Sequence, residues 1–347
     1  MKNEFIEKFY NTIISGFDSD EIQKQKFEEI IKSVKAITPS SLFRYRKITD
    51  YTLSDLDNDI ISLSYPSSFN DPYDSLIKAD KQKFIENVLN VNNKDKIINL
   101  IEKTPEILNK LNLNKENKEQ LVTYINKLKS VPNEEIKQLL LSAQNVIDSI
   151  FNSAWKDVFI YLKSTPRIAC FSEDVSSNVM WAHYADSHKG FVIEYNFNDY
   201  INLCTTCQKQ CPNRHNESLY PVKYSDERFD VTPLLIYSAN LFLMKQFLKE
   251  GTVLSDDQLV IYKALLSKST NWSYEKEWRL ISLSDNPRCT EQIKLKPKAI
   301  YLGIDISSIN SKILKYLAKE KNIPVYQMNI DIESTDYKMN YIKIVEA

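Results

Sequence analysis

Glycine is nearly absent from this chain, and its scarcity constrains the fold more than any other feature. There are only four glycines among 347 residues. Neither the G-x-G-x-x-G pattern nor the G-x-x-x-x-G-K-[ST] pattern is present. In both patterns, glycines let the backbone approach a phosphate closely. The sequence therefore argues against a Rossmann or P-loop nucleotide site.

Charge and hydropathy are those of an ordinary globular protein. Apolar residues make up 43% of the chain, charged residues 26%, and 45 basic residues face 46 acidic ones. The chain therefore lacks the overall positive charge that would indicate nucleic acid as a general partner. The N-terminus lacks the apolar core of a signal peptide, and the longest apolar-rich stretch, PLLIYSANLFLM, is too short to span a bilayer. We expect a cytoplasmic protein without membrane association, whose five cysteines are thiols or metal ligands.

Apolar periodicity divides the chain into helical and β-prone segments. Apolar residues recur at helical spacing in residues 1–40, whereas residues 41–75 and the chain from 167 onward contain short β-prone runs. Residues 80–164 are rich in Lys and Asn and predict a helical insertion. Further helices are predicted at 176–185, 232–250, 256–268 and 307–322. The pattern predicts an α+β protein with a mixed, mostly antiparallel sheet and flanking helices, in which 41–347 form one main domain after the N-terminal helices.

The stretch CTTCQKQCPNRH concentrates metal-ligand residues within twelve positions. Its candidate ligands are Cys204, Cys207, Cys211 and His215. Three thiolates and an imidazole make a complete tetrahedral zinc set, and four protein ligands leave no open position for chemistry. We therefore predict a structural zinc in a loop at residues 200–220. The alternatives are reduced surface thiols or, less in keeping with three cysteines, an iron–sulfur cluster.

The stretch SYEKEWRLIS places two carboxylates and an arginine in what otherwise has the pattern of a strand. Strand side chains alternate between faces. A strand here would therefore put Glu275, Glu277 and Arg279 on one face and Tyr274 and Trp278 on the other. Such a row is either a structural salt-bridge row or the floor of a site.

Four further stretches hold polar or aromatic residues where a plain core would prefer aliphatic ones. They are LFRYR with Arg44, Tyr45 and Arg46; SFNDPYD with Asn70, Asp71 and Asp74; CFSED with Ser172 and Glu173; and NVMWAHYADSHKG with Trp181, His183, Tyr184 and His188. Each alone has a structural explanation, such as a buried ion pair between Arg44 and one of the glutamates. Together with SYEKEWRLIS they make five such stretches in one chain, which structural explanations alone do not easily account for.

The order and register of these stretches resemble a bacterial family called domain of unknown function 2971. The resemblance covers roughly residues 41–75 and 167–305. Its most specific motifs are S-F-N-D-P, M-W-x-H-Y…H-x-G and E-x-E-W-R. The N-terminal helices, the cysteine cluster and the length of the helical insertion depart from the family pattern. The family name implies no activity.

A weaker resemblance to the ADP-ribosyltransferase fold implies NAD as a substrate. In that fold a basic residue on the first strand holds the ribose and phosphates, aromatic rings stack the nicotinamide, and a late glutamate stabilises an oxocarbenium-like transition state. The resemblance implies these roles for Arg44, for Ser64 or Tyr65, and for Glu277 with Glu275 beside it. The residues expected to bind the nucleotide are Tyr45, Ser64, Tyr65, Trp181, His183, Tyr184 and Arg279. Arg279 departs from the pattern, because it could neutralise the glutamate row.

Three functions are therefore open. The first is cleavage of the nicotinamide–ribose bond of NAD, with a protein or nucleic-acid acceptor, by a toxin or phage-defence effector. This chemistry needs one carboxylate, one cation and an aromatic wall, and no glycine-rich loop. The second is a non-catalytic module that binds a nucleotide, nucleic acid or protein and carries a structural zinc loop. The third is metal-assisted hydrolysis by Asp71, Asp74, Glu173 and His183, for which no nuclease spacing is present.

Overall fold

The computed structural model describes residues 1–16, 18–89, 144–197, 219–236, 257–283 and 292–345, with a few isolated positions between 119 and 132. The helices in these ranges are α1 (Lys2–Asn11), α2 (Asp20–Ile37), α3 (Asp50–Asp57), α4 (Lys81–Leu89), α5 (Gln144–Ser164), α6 (Asn178–Tyr184), α7 (Val260–Leu265) and α8 (Ser308–Lys321). Two 3-10 turns are Pro66–Ser68 and Thr270–Glu275. No helix in the described ranges is long and apolar enough to cross a membrane.

The strands are short. They are β1 (Leu42–Arg46), β2 (Ile60–Ser62), β3 (Arg167–Ser172), β4 (Phe191–Tyr195), β5 (Leu219–Pro221), β6 (Lys223–Ser225), β7 (Ser267–Ser269), β8 (Glu277–Ser282), β9 (Gln292–Lys294), β10 (Ala299–Leu302), β11 (Val325–Asn329) and β12 (Asn340–Val345). Most of the predicted insertion, the whole cysteine cluster and the predicted helix beyond residue 236 lie outside the described residues.

An eight-stranded sheet in the order β12-β11-β10-β4-β1-β3-β8-β5 forms the centre of the described molecule. Its neighbouring strands are antiparallel except β10 and β11, which are parallel. Two smaller ladders, β2–β9 and β6–β7, lie beside it. The predicted α+β class with a mixed, mostly antiparallel sheet is therefore confirmed.

The sheet lies between two hydrophobic cores. Side chains of a strand alternate between faces, and accordingly Phe43 and Val192 belong to one buried cluster while Leu42 and Ile193 belong to the other. The larger core includes residues of α1 and α2. The smaller core is covered by α6, which contributes the fully buried Trp181.

The sheet opens between β1 and β3. β1 pairs with β4 at five positions and β3 pairs with β8 at six, but β1 and β3 share only the pair Phe43 and Ser172. Ile168, at the start of β3, instead exchanges two backbone hydrogen bonds of 2.8 and 2.9 Å with Ser64. The segment that follows β2 therefore crosses the gap.

One local prediction near the site was wrong, and the bounds of another were too wide. The segment predicted as one strand over 273–282 begins with a 3-10 turn, and Lys276 takes a left-handed φ of 46° before β8 starts at Glu277. This conformation breaks the two-residue alternation, so Glu275 is not a strand residue. The helix predicted over 256–268 is confined to α7, and Lys268 lies in β7.

Candidate functional site

A cavity of about 400 Å³ occupies the gap between β1 and β3. It is lined by residues of β1, the 64–74 segment, β3 and α6, and by Lys268, Glu275 and Glu277. Its volume falls in the range of small-molecule sites, roughly 300–1,000 Å³. The cavity therefore collects residues from all five stretches that the sequence singled out.

Five buried charged side chains form one wall of this region, and we call them the charged cluster: Asp74, Lys268, Glu275, Glu277 and Arg279. None is more than 7% exposed. Arg279 donates to both carboxylate oxygens of Asp74, at 2.8 and 2.5 Å, and to both of Glu277, at 2.9 and 3.0 Å. Lys268 Nζ lies 2.5 Å from Glu275 and 3.1 Å from Glu277. Three carboxylates against two cations leave one excess negative charge.

The two glutamates have opposite pKa shifts. Burial, and then the charge of Glu277, raise the pKa of Glu275 to about 7. Burial also opposes ionisation of Glu277, but Arg279 and Lys268 outweigh it and hold the pKa of Glu277 well below its ordinary value. Paired groups whose environments separate their pKa values can take different acid–base roles. Glu277 is thus a fixed anion, and Glu275 is a group that can exchange a proton near neutral pH.

Glu275 is held in the cavity wall by neighbours on two elements. The Tyr184 hydroxyl donates to Glu275 Oε1 at 2.6 Å, and the Ser172 hydroxyl donates to the Glu275 backbone carbonyl at 2.7 Å. Asn70 in turn donates to the Tyr184 hydroxyl at 3.4 Å. These contacts join α6, β3 and the 64–74 segment around one carboxylate.

The strand on the opposite side of the gap contributes basic residues. Arg44, Arg46 and Lys47 line the cavity. Arg44 is 7% exposed, donates to the Ser62 backbone carbonyl at 2.6 Å and lies over the Phe171 ring. In the part of the chain described here Arg44 forms no ion pair, and burial lowers its pKa to about 9. A buried guanidinium without a carboxylate partner suits an anionic ligand group.

An ion pair between Arg44 and a glutamate, one of the structural explanations above, is not formed. Phe43 lies opposite Ser172, and Ser172 lies opposite Glu277, so these three residues share one face of the sheet. Arg44 follows Phe43 and therefore points to the other face. Glu277 is paired instead with Arg279 and Lys268.

Four aromatic side chains contact one another beside the cavity, and two of them, His183 and Tyr184, line it. We call the four the aromatic rim: His183, Tyr184, Trp272 and Tyr274. The His183 ring lies 6.2 to 6.3 Å from each of the other three. The Tyr274 hydroxyl is 3.4 Å from His183 Nδ1. His183 is exposed, whereas the other three are partly buried. Such a rim can stack a planar ring.

Some predicted site residues line the cavity and others do not. Tyr45 and Ser64 line it, as do both glutamates, Arg44, His183 and Tyr184. Trp181 is fully buried in the smaller core, where its indole donates to the Val175 carbonyl at 2.7 Å. The Tyr65 ring lies 3.4 Å from the Arg167 guanidinium, away from the cavity lining. Arg279 does not line the cavity but donates a hydrogen bond to Glu277, which does.

Sequence reasoning missed Lys268 and Trp272. Lys268 lies in LLSKST, where no pattern separates it from the many other lysines. Its proximity to the glutamates is a feature of the tertiary structure, in which β7 pairs with β6. Trp272 follows four residues later on the 3-10 turn and lies over Lys268, with Nζ 5.1 Å from the ring centroid.

The residues of the metal-hydrolysis hypothesis are not gathered around one point. Asp74 is bound by Arg279, while Glu173 accepts from Lys2 at 2.6 Å and from Trp278 at 2.5 Å. Among the residues that the structure describes, no group of three or more His, Cys, Asp or Glu could hold a metal ion. The four predicted zinc ligands fall outside these residues, so zinc stays a prediction.

The protein has an α+β fold, and its open sheet holds a cavity whose volume is typical of small-molecule sites. Residues 180–280 match the model of a family described as Protein of unknown function (DUF2971), which confirms the resemblance seen in the sequence. The matched stretch includes Tyr184, Lys268 and both glutamates, whereas Arg44 and Asp74 precede it. No curated protein and no solved structure matches the chain.

Proposed function

We propose that this chain cleaves the nicotinamide–ribose bond of NAD and transfers ADP-ribose to an acceptor, either water or a protein or nucleic-acid group. The observation that carries the proposal is the charge distribution of the cavity. One wall holds Arg44, a buried cation with no ion-pair partner among the described residues, and the other holds the net-negative charged cluster. NAD has the matching polarity, with an anionic diphosphate and a cationic nicotinamide.

Glu277 suits the stabilisation of the transition state. When the C1′–N bond breaks, its electron pair goes to the nicotinamide nitrogen, which leaves neutral, and positive charge develops on the ribose. A preorganised carboxylate stabilises that charge without reorganising. Glu277 lines the cavity, and Arg279 and Lys268 keep its pKa low, so it remains anionic throughout the neutral range.

Glu275 suits proton transfer from the acceptor. As the acceptor forms its bond to C1′, it must lose a proton, and a base with a pKa near the working pH is the most effective. Burial raises the pKa of Glu275 to about 7. The proton would pass to a carboxylate that Tyr184 and Lys268 hold in place.

The remaining cavity residues suit the rest of the nucleotide. Arg44, with Arg46 and Lys47 beside it, supplies guanidinium and ammonium donors for the diphosphate. The aromatic rim supplies faces for a planar ring. An enzyme of this kind would deplete NAD or modify a macromolecule in the cell, which suits the toxin or phage-defence role that we hypothesised from the sequence.

The test is nicotinamide release from NAD by the purified full chain, with and without cell lysate as a source of acceptor. Removing one preorganised electrostatic group typically costs about 10²–10³ in rate, and we expect a loss of that size in Glu277→Gln. Glu194→Gln is the matched control. Glu194 on β4 is also buried, but it accepts hydrogen bonds from Lys298 and Tyr301 and does not line the cavity. Absence of release by the wild type, or equal rates in the wild type and Glu277→Gln, would contradict the proposal.

A non-catalytic nucleotide-binding module is the second candidate, and the full pairing of Glu277 favours it. Both Glu277 oxygens accept hydrogen bonds from Arg279, and Lys268 adds a third contact. Calorimetry separates the two functions. A binding module would bind NAD without releasing nicotinamide, would keep its affinity in Glu275→Ala, and would lose affinity in Arg44→Met.

A further inference from the structure

Lys268 reaches the glutamates from an element that carries no other part of the predicted site. It lies in β7, which pairs in parallel with β6 so that Lys268 is beside Tyr224. The Glu277 backbone N–H donates to the Tyr224 hydroxyl at 2.8 Å. Two neighbouring side chains of this small ladder therefore hold Glu277, one at its backbone and one at its carboxylate.

Lys268 is the cation that the two glutamates share. Its ammonium lies 2.5 Å from Glu275, 3.1 Å from Glu277 and 3.5 Å from Asp74. Arg279 forms ion pairs with Asp74 and Glu277 but not with Glu275. Within the described ranges, no second cation forms an ion pair with Glu275. The counter-charge of Glu275 thus depends on Lys268.

The ammonium is itself fixed in position. Lys268 is 7% exposed and its Nζ lies over the Trp272 ring, which adds a cation–π contact. Burial opposes its charge, but Glu277, Asp74 and Glu275 together raise its pKa. Lys268 therefore stays a cation and is not a proton donor in the neutral range.

We propose that Lys268 is the positioning residue of this site. Its ammonium holds the carboxylates of Glu275 and Glu277 side by side at the cavity wall, and it lets both be ionised together. Two adjacent carboxylates repel each other, and without a shared cation one of them takes up a proton. This role rests on the proposed function, since it serves a reaction in which Glu277 is an anion and Glu275 accepts a proton.

Lys268 and Glu275 face other titratable groups, and Glu275 itself has a pKa raised to about 7. The charged ones are Asp74, Glu277 and Arg279. The neutral ones are Cys170, Tyr184, Tyr224 and Tyr274, and burial raises the pKa of each. His183 contacts Tyr184 and Tyr274 rather than Lys268 or Glu275.

The test compares Lys268→Met, Lys268→Gln and Lys268→Arg with the control Lys263→Met. Lys263 in α7 is also buried, at 3% exposed, and forms an ion pair with Asp257. Its replacement therefore removes a buried ion pair that does not include either glutamate. Two quantities are followed against pH: the rate of nicotinamide release, and the ¹³C signal of the Glu275 carboxyl in glutamate-labelled full-length protein. Glu275→Gln assigns that signal.

We expect Lys268→Met and Lys268→Gln to move the titration of Glu275 upward by about one pH unit or more, since losing an opposite charge at contact has effects of this size. The acid limb of the rate profile should move with it, and the rate at neutral pH should fall by about 10- to 100-fold. Lys268→Arg keeps the positive charge and should show little of this shift. Lys263→Met should keep the acid limb of the wild-type rate profile. Lys268→Gln keeps an N–H donor and serves where the methionine variant does not fold.

An unchanged Glu275 titration in both uncharged variants would overturn the role of Lys268. A wild type that releases no nicotinamide would overturn the proposed function instead. In that case the ¹³C titration still decides whether Lys268 sets the ionisation of Glu275, so the two failures are distinguishable.

Discussion

Two glutamates separated by one residue have opposite electrostatic environments. Glu277 contacts two cations, whereas Glu275 contacts one cation and lies beside the Glu277 charge. Both are less than 5% exposed, so burial penalises ionisation of each. The number of cations in contact therefore decides which carboxylate is a permanent anion.

The stability of the protein should respond in opposite ways to these two carboxyls. The folded-state pKa of Glu277 lies below its ordinary value of 4.5, so its stabilising effect is present above that value and is lost as the pH falls through the folded pKa. The folded-state pKa of Glu275 is raised from 4.5 to about 7, so its contribution to stability falls as the pH rises across that interval.

Urea denaturation of the wild type and of single variants, from acid to neutral pH, measures both effects. We expect Glu277→Gln to lose about 3–5 kcal/mol at neutral pH, as when one partner of a buried charge network is removed. Glu275→Gln should lose much less and should flatten the fall in stability between pH 4.5 and 7. Equal losses at neutral pH in the two variants would show that the assigned environments are wrong.

At the scale of elements, a short turn places Glu275 beside Glu277. The 3-10 turn Thr270–Glu275 ends at Lys276, whose left-handed φ of 46° reverses the chain just before β8. β-Branched residues are strongly disfavoured in this conformation, whereas asparagine tolerates it. The turn also carries Trp272 and Tyr274 of the aromatic rim, so one backbone conformation controls both the glutamate pair and the rim.

Lys276→Val should therefore destabilise the protein by about 1–2 kcal/mol relative to Lys276→Asn, because the β-branched valine is disfavoured in the left-handed region that asparagine tolerates. Both variants lose the Lys276–Asp174 ion pair of 2.9 Å, so the comparison isolates the backbone. Thermal unfolding measures the stability difference. If the valine and asparagine variants unfold at the same temperature, the turn tolerates strain and does not fix the glutamates.

At the scale of the whole molecule, the cavity joins two parts of one sheet that share a single residue pair. The β1–β4 part carries Arg44, and the β3–β8 part carries Glu277. A ligand that contacts both parts closes this gap with its own atoms. The folded protein should therefore gain stability from such a ligand, because the unfolded chain has no cavity to bind it.

An uncleavable carbocyclic NAD analogue should raise the melting temperature of the wild type, with a stabilisation of about 2.7 kcal/mol at one hundred times its Kd. Arg44→Met should abolish the rise, because it removes the cation of the β1 wall. Arg167→Met is the control, since Arg167 lies over Tyr65 and outside the cavity lining. An equal rise in Arg44→Met would place the analogue elsewhere.

The sequence by itself determined the class of the fold and the set of stretches that meet at the site. Local periodicity is a property of neighbouring residues, so α1, α2, α6 and α8 and the mostly antiparallel sheet were predictable from it. The clusters of polar and aromatic residues were also visible, because a strand or helix that only builds a core does not need them. Glu275 and Glu277, which the sequence singled out, both line the cavity.

Only the tertiary structure decided which of these residues act on one another. The sheet face on which Arg44 lies depends on the register of β1 against β3. The position of Glu275 depends on the left-handed conformation of Lys276, and the burial of Trp181 depends on the packing of α6 against the sheet. Lys268 has no sequence signal at all, because its role exists only once β7 pairs with β6. Contacts between residues far apart in the chain depend on packing and register, and periodicity does not encode either.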